Sequence, residues 1–377
     1  MRIGFDLRPF LREETGVGVY FRNLLFVLAA LDREDEFFPV SASWKDRFAP
    51  DRLPPFAKKS FRDLRWPVRV VDALWYGLGW PTLDGIFRAR LDLAHSPAPL
   101  PLPTRGRRVV TVCDLFFLDD PGRADPGARK HFVKRAASAL LEADGIVAIS
   151  EYTKSALLER FPLDPDRIRV THLGVEDDRR SPPVPRSVER TRAALGLPSE
   201  FLLFVGACEP RKNLPAPIDA LALVHEGGIK VPLVIAGRPG AGQAELLARI
   251  ASRGLSDWVR SPGYLPDEDV RNLYYAAAAL VFPSLCEGFG LPLLEAMAAG
   301  LPSAVSKSGA LPEIGGPAAV YFDPKDPSEI AAAIVHVLTD SGLRETLRRA
   351  GPVRAAEFRW ERTAAQTLAF YREVLGR

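Results

Sequence analysis

Cysteine, methionine and histidine are scarce in this chain, at 3, 2 and 5 of 377 residues. The cysteines, Cys113, Cys208 and Cys286, are odd in number, far apart and set in mostly apolar sequence. That fits reduced buried thiols better than a disulfide framework and makes the cytosol the expected location. The histidines, His95, His131, His172, His225 and His336, show no i,i+4 pair and no H-E-x-x-H spacing, so no zinc site is implied. No apolar run approaches the ~18 residues of a membrane span. The opening "MRIGFDLRPFLREE" lacks an apolar stretch before a small-residue cleavage site, so neither export by the usual signal nor a spanning helix is expected. Charge of one sign is lacking too: 50 bases against 47 acids leave +3, which makes no case for a nucleic-acid partner. Among the bases lysine is the rare one, so a loop lysine stands out.

Length points to two domains, since one core rarely exceeds roughly 100–200 residues. Short apolar runs alternate with longer segments of helical period, the signature of βαβ units and a parallel sheet. A first series holds "RIGFD" (2–6), "RVVTVCD" (108–114), "GIVAIS" (145–150) and "IRVTHLG" (168–174). A second holds "FLLFVG" (201–206), "PLVIAG" (232–237), "ALVFPS" (279–284) and "PSAVS" (302–306). The polar, Pro-bearing stretch 175–200 reads as a linker. The C-terminal segment has helical spacing of Ile330, Ile334 and Leu338, a break at Gly351-Pro352, and renewed helix through Trp360, Thr367 and Phe370. No repeat of 20–50 residues is apparent.

The stretch "FPSLCEGFGLPLLEAMAAGLP" (282–302) places Glu287 and Glu295 around a Gly-x-Gly turn between a strand and a helix. Gly288 and Gly290 permit positive φ, Pro292 suits a first helical turn and Gly300 ends the helix. Helix-start N–H groups at the carboxyl edge of an open sheet attract anionic ligands. A carboxylate beside them suits hydroxyls attached to a phosphate, as in ribose and a hexose. The alternative is a pair of solvated acids favoured by the helix dipole; the apolar neighbours Phe289, Leu291, Leu293 and Leu294 weigh against it. "GACEPRKN" (206–213) brings Arg211 and Lys212 to the end of another strand, where two cations suit a diphosphate leaving group. A solvated basic pair is the plain alternative. In "RPFLREETGVGVYFRNLLFVLAAL" (8–31), Gly16 and Gly18 precede an amphipathic helix, but the third glycine of G-x-G-x-x-G is replaced by Phe21, which disfavours a nicotinamide site and leaves either a Gly-lined helix start able to approach a phosphate or sugar, or a plain tight turn.

At these residues the chain resembles the retaining glycosyltransferases of family four. Glu287 to Glu295 has the E-x7-E spacing, and "EGFGLPLLEAMAAGLP", "RKN" (211–213), "TGVGVY", "VAISEYTKSALLERF" (147–161) and "THLGVE" (171–176) follow the family's form over nearly the whole chain. The resemblance implies an α/β GT-B fold, two Rossmann-like domains facing each other across a cleft. The acceptor-side domain would span 1–175 and the donor domain 176–357, with a helix at about 358–377 packing back on the first. It implies transfer of a hexose-type sugar from a nucleotide-diphosphate sugar to a hydroxyl of a glycan or lipid-linked glycan, with retained configuration and no metal or other cofactor. Carried over by position, Glu295 would bind ribose and Glu287 the sugar hydroxyls, with Phe289, Gly290 and Leu291 near sugar and pyrophosphate. Arg211 and Lys212 would hold the diphosphate and stabilise its developing charge, Gly16 and Gly18 would let the first loop close, and Tyr264 would meet the base.

One departure stands out: in "TVCDLFFLDDP" the family often has His-Asp where this chain has Cys113-Asp114. A thiol supplies no strong donor, so either another residue such as His95 or Asp114 would serve on the acceptor side, or acceptor and sugar would differ; a lone histidine is more often structural. "LDPDR" holds Asp164 and Asp166, but Pro165 between them reads as a turn, not a metal-binding Asp-x-Asp. "FAKKSFRDLRWPVRVVDALWYGLGW" (56–80) mixes Lys58, Lys59, Arg62, Arg65 and Arg69 with Trp66, Trp75, Tyr76 and Trp80. That composition suits peripheral contact with an anionic membrane, or a helix with aromatics in the core and bases in water. Two rival functions remain open on these residues: a sugar-nucleotide epimerase of the same fold, and a two-lobed binding protein without catalysis.

Overall fold

A computed structural model describes residues 1–8, 16–31, 34–46, 60–119 and 135–377. Lys58 and Lys59 therefore lie outside the described residues, as does the stretch 9–15 that leads to Gly16. The chain divides into two units, Met1–Gly174 with Arg359–Arg377, and Val175–Phe358.

The first unit is built on strands β1 (Arg2–Asp6), β2 (Glu36–Ala42), β3 (Arg62–Leu64), β4 (Leu93–Ser96), β5 (Arg107–Val112), β6 (Gly145–Ala148) and β7 (Ile168–Val170), in the order β3-β2-β1-β4-β5-β6-β7 with every pairing parallel. The second holds β8 (Leu202–Val205), β9 (Leu233–Ala236), β10 (Val259–Gly263), β11 (Ala279–Phe282), β12 (Ser303–Ser306) and β13 (Val320–Phe322), again all parallel, ordered β10-β9-β8-β11-β12-β13. Strands such as "LVIA" and "ALVF" are buried at every position because helices cover both faces of a parallel sheet. In each unit the strand order reverses once, between β1 and β4 and between β8 and β11. Ligands of open α/β sheets bind outside the carboxyl ends of strands at such a reversal.

Two readings of the sequence change. Residues 175–200 are not a free linker. They carry a 3-10 turn (Asp177–Arg180) and a helix (Pro185–Ala194), and Asn272 fastens that helix by donating from Nδ2 to Ser187 Oγ at 2.8 Å and Thr191 Oγ1 at 3.0 Å. Nor does Gly351-Pro352 break the chain's helix, which runs from Ser341 to Ala355 with Pro352 inside it. Gly351 is required for another reason: a Cβ there would lie 2.9 Å from the carbonyl oxygen of Met297.

The last helix, Trp360–Val374, belongs to the first unit. Trp360 packs near Tyr20, Thr363 donates to the His172 carbonyl at 2.6 Å, and Tyr371 reaches His95. His95 is fully buried, its Nδ1 2.5 Å from the Tyr371 hydroxyl and its Nε2 2.7 Å from Thr111 Oγ1, with Phe5 and Phe21 against the ring. The acceptor-side role expected for His95 is therefore corrected: both ring nitrogens are engaged inside the core. Burial lowers its pKa from 6.5 to about 3. A group whose folded value is depressed binds its proton first in the unfolded chain, so stability falls as pH drops below 6.5 toward 3. Between pH 6.5 and 5 this group alone should remove about 2 kcal/mol. Urea unfolding of the parent and of His95→Gln at pH 7 and pH 5 checks it; the variant should lose less stability on acidification, and equal losses would show that His95 does not titrate on unfolding.

Candidate functional site

The loops that leave β8 and β11 meet at the reversal point of the second sheet. After β8, Pro210–Lys212 form a 3-10 turn that ends at Asn213 in the left-handed conformation, φ 54°. Asn213 tolerates this backbone, and its side-chain amide donates to the carbonyls of Pro283 at 3.3 Å and Pro324 at 2.6 Å, tying the turn to the loops after β11 and β13. The Leu285 N–H donates to the Arg211 carbonyl at 2.8 Å, a second tie between the same two loops.

This frame aims two cations at one carboxylate oxygen. Lys212 Nζ lies 2.6 Å and Arg211 Nη1 3.1 Å from Glu287 Oε1, while Arg211 Nε also donates to Glu209 at 3.1 Å. Glu287 and Lys212 are buried, at 7% and 6% exposure. Burial alone would raise the Glu287 carboxyl, but Lys212 and Arg211 hold it below the usual carboxylate range. Burial lowers the Lys212 ammonium, opposed by Glu287. Lys212 also sits 4.7 Å over the Phe282 ring. Glycines make the closeness possible. A Cβ on Gly309 would fall 2.5 Å from the Glu287 carbonyl oxygen, and one on Gly237 would fall 1.9 Å from that of Gly206.

The helix after the loop, Leu291–Ala298, starts from Gly290 at φ 100° and has Pro292 in its first turn. Phe289 is buried edge-on to Phe358. Glu295, one turn in, accepts from the Tyr274 hydroxyl at 2.8 Å and lies 3.5 Å from Arg179 Nε. Burial pushes the Glu295 carboxyl up, opposed by Arg179 and the Tyr274 hydroxyl. Arg179 is itself buried and donates to Asp267. Glu176, Asp178 and Asp267 bring carboxylate oxygens within 4.8 Å of one another, the single such group among the described residues, and Arg179 already bonds one of them.

Of the residues expected from sequence, Arg211, Lys212 and Glu287 are in direct contact, and Gly290, Leu291 and Glu295 lie on the adjoining helix start. Tyr264 stands at the end of β10, 61% exposed, with the Arg238 guanidinium 4.5 Å from its ring. Gly16 and Gly18 begin helix Gly16–Leu31 in the first unit. There Asp114 accepts from the Phe116 N–H at 3.1 Å, and burial, with Asp114 beside it, raises the Cys113 thiol. Asp164 caps the turn Pro165–Arg167 by accepting from the Asp166 N–H at 3.0 Å, the geometry of a turn residue. The positioning roles of Asn213, Tyr274, Arg179 and Gly309 were missed. Only Asn213 carried a signal, as an αL-tolerant residue just before a helix.

Residues 187–354 match the family described as "Glycosyl transferases group 1", and residues 15–179 match "Glycosyltransferase Family 4". The O-antigen chain mannosyltransferase B of Escherichia coli is 34% identical over 72% of this chain and 72% of its own length. The chain belongs to glycosyltransferase family 4. This glycosyltransferase is also 33% identical, over 71% of its length, to the E. coli serotype-specific mannosyltransferase WbdA, of which it spans about a third. In structure it is similar to sucrose-phosphate synthase from Thermosynechococcus elongatus, with a TM-score of 0.77, 20% identity and 100% and 99% of the two chains covered. Anabaena Alr3699/HepE, solved in complex with UDP-glucose, gives 0.75 at 18% identity over 98% and 99%. Its two parallel-sheet α/β units are those of the GT-B fold.

The geometry makes Glu287 the neutralising partner of two inward cations. In the glycosyltransferase, Glu287→Gln should lower unfolding free energy by about 3 kcal/mol, because removing one partner leaves buried charge uncompensated. Adding Lys212→Met should restore much of it. Denaturant titrations of both variants check this, and an unaltered midpoint for Glu287→Gln would show that the pair is not buried in solution.

Proposed function

We propose that this glycosyltransferase moves a hexose from a nucleotide-diphosphate sugar to a hydroxyl of a glycan or lipid-linked glycan, retaining the anomeric configuration, in the cytosol. The observation that carries the reading is the convergence of Arg211, Lys212 and Glu287 at the carboxyl ends of the two central strands of the second sheet. Mannose is the hexose favoured by the names of the relatives in E. coli.

On this reading Arg211 and Lys212 take the diphosphate. They stabilise the charge that gathers on it as the sugar departs, and act most strongly because the site is sheltered from water. Glu287 accepts from sugar hydroxyls while keeping the cations in place. Glu295, held by Tyr274 and Arg179, accepts from ribose, and Phe289, Gly290 and Leu291 line the sugar and pyrophosphate. Tyr264, backed by Arg238, gives the base a face to stack on. Gly16 and Gly18, at the start of the first unit's helix, are the glycines assigned to donor binding, and Asp114, next to Cys113, serves the acceptor. The two fixed cations take the place that a divalent ion fills in metal-dependent transferases.

Lys212→Ala and Glu295→Ala should each weaken binding of the nucleotide diphosphate roughly 10- to 100-fold, the worth of a charge-assisted hydrogen bond. Calorimetry with GDP, UDP and ADP measures this and identifies the base. Unchanged affinity in both variants would remove the assignment. Sugar transfer should also persist in excess EDTA; activity lost to the chelator and restored by manganese would overturn the metal-free reading.

A further inference from the structure

A surface helix ordinarily sets charged and polar residues opposite its buried stripe. Helix Val68–Leu78 buries Val71 and Trp75, yet at 100° per residue its opposite arc carries Arg69, Val70, Ala73 and Gly77, with Trp66 just ahead of it on the same side. All five are exposed. The helix's one acid, Asp72, is turned aside and paired with Arg8 at 2.5 Å. Leu78, the last residue of the helix, and Trp80 just past it are 75% and 59% exposed. A third tryptophan lies just after β2. The Ser43 N–H donates to the Leu64 carbonyl at 3.1 Å, so the segment after β2, with Trp44 72% exposed and Lys45, leaves the sheet next to the segment after β3 that holds Arg65 and Trp66.

Three of the chain's six tryptophans are thus exposed on the first unit, Trp44 and Trp66 in adjoining segments and Trp80 past the helix end, with Lys45, Arg62, Arg65 and Arg69 exposed in the same segments. Exposed apolar surface of this kind marks an interaction site. Indole rings at both ends of a helix lying along the surface, interleaved with cations, match the headgroup layer of a bilayer, where tryptophan settles and each base is drawn to anionic lipid. We propose that this face of the first unit docks on a membrane bearing anionic headgroups. The inference stands apart from the donor chemistry, because it concerns no residue of the donor site and is read without turnover.

Co-sedimentation with vesicles of equal parts phosphatidylglycerol and phosphatidylcholine, and with phosphatidylcholine alone, tests it at low and high salt. The protein should pellet with the anionic vesicles, less so at high salt, with a blue shift of tryptophan emission. Arg65→Ser with Arg69→Ser should weaken partitioning roughly 30-fold. Trp44→Ser with Trp66→Ser and Trp80→Ser should abolish the blue shift, and unaltered nucleotide binding would show that the variant is folded. Three results would overturn the proposal: no dependence on anionic lipid, unchanged pelleting of the tryptophan variant, or no vesicle binding together with a concentration-dependent dimer that the tryptophan variant loses. The last would make a second copy of the chain the occupant.

Discussion

Glu287 is the constraint around which the second unit is arranged. One carboxylate oxygen accepts from both Lys212 and Arg211, two of the three groups being almost wholly buried. Such a cluster is not an efficient source of stability, because desolvating the charges offsets most of their attraction, and well-packed apolar groups would serve as well or better. What it does fix is position. An ammonium and a guanidinium that cannot leave without stranding a buried carboxylate are held at the sheet edge in one arrangement before any ligand arrives. That preorganisation is what an electrostatic site needs, since dipoles and charges already in place need no rearrangement during reaction.

The arrangement depends on backbone more than on the charged residues themselves. Bringing the loops after β8 and β11 together requires Asn213 at positive φ, bonded to two carbonyls, and Gly309 within a Cβ's reach of Glu287. Any side chain at Gly309 would push the carboxylate loop outward, and at φ 66° it would be strained as well. The sheet order supplies the rest. Because the helix after β8 crosses to one face and that after β11 to the other, the ends of these two strands are left uncovered together.

Much of this was legible in the sequence. The buried strands β8, β9, β11 and β12 read as apolar runs because both faces are covered, and the acids of 282–302 stood out against apolar neighbours. The strands that went unread were short, or interrupted by residues a strand tolerates poorly. β2 contains Pro39, β10 ends in Ser-Pro-Gly and follows an irregular register, and β3 and β13 are three-residue edge strands. His95 was offered as an acceptor-side residue because sequence shows a histidine before a Pro-rich loop and not the tyrosine, 276 positions later, that takes its Nδ1. Separation along the chain also hid Arg179 and Tyr274, 116 and 21 positions from Glu295: nothing local links a residue in a polar stretch near 180 to an acid at 295. Within the described part of segment 56–80, residues 60–80, Trp75 lies in the core while Trp66 and Trp80 are exposed, an arrangement that composition alone could not give.

Lysine's rarity in this chain gives the site its last feature. Arginine outnumbers it fourfold, and arginine's planar fork prefers two parallel acceptors. Lys212 is a compact charge with three donors, and Glu287 occupies one of them. On the proposed reaction, a diphosphate oxygen can therefore approach the same ammonium without displacing the carboxylate. Arg211, bonded to Glu209 and Glu287, turns a broader charge to the same place. Formally the two cations are matched by two acids, the buried Glu287 and Glu209, whose side chain is 36% exposed and the more screened of the two. The positive end of helix Leu291–Ala298 adds positive potential at the same corner. On the proposed reaction an anion would meet that potential, with the Glu287 carboxylate as acceptor for the hydroxyls it carries.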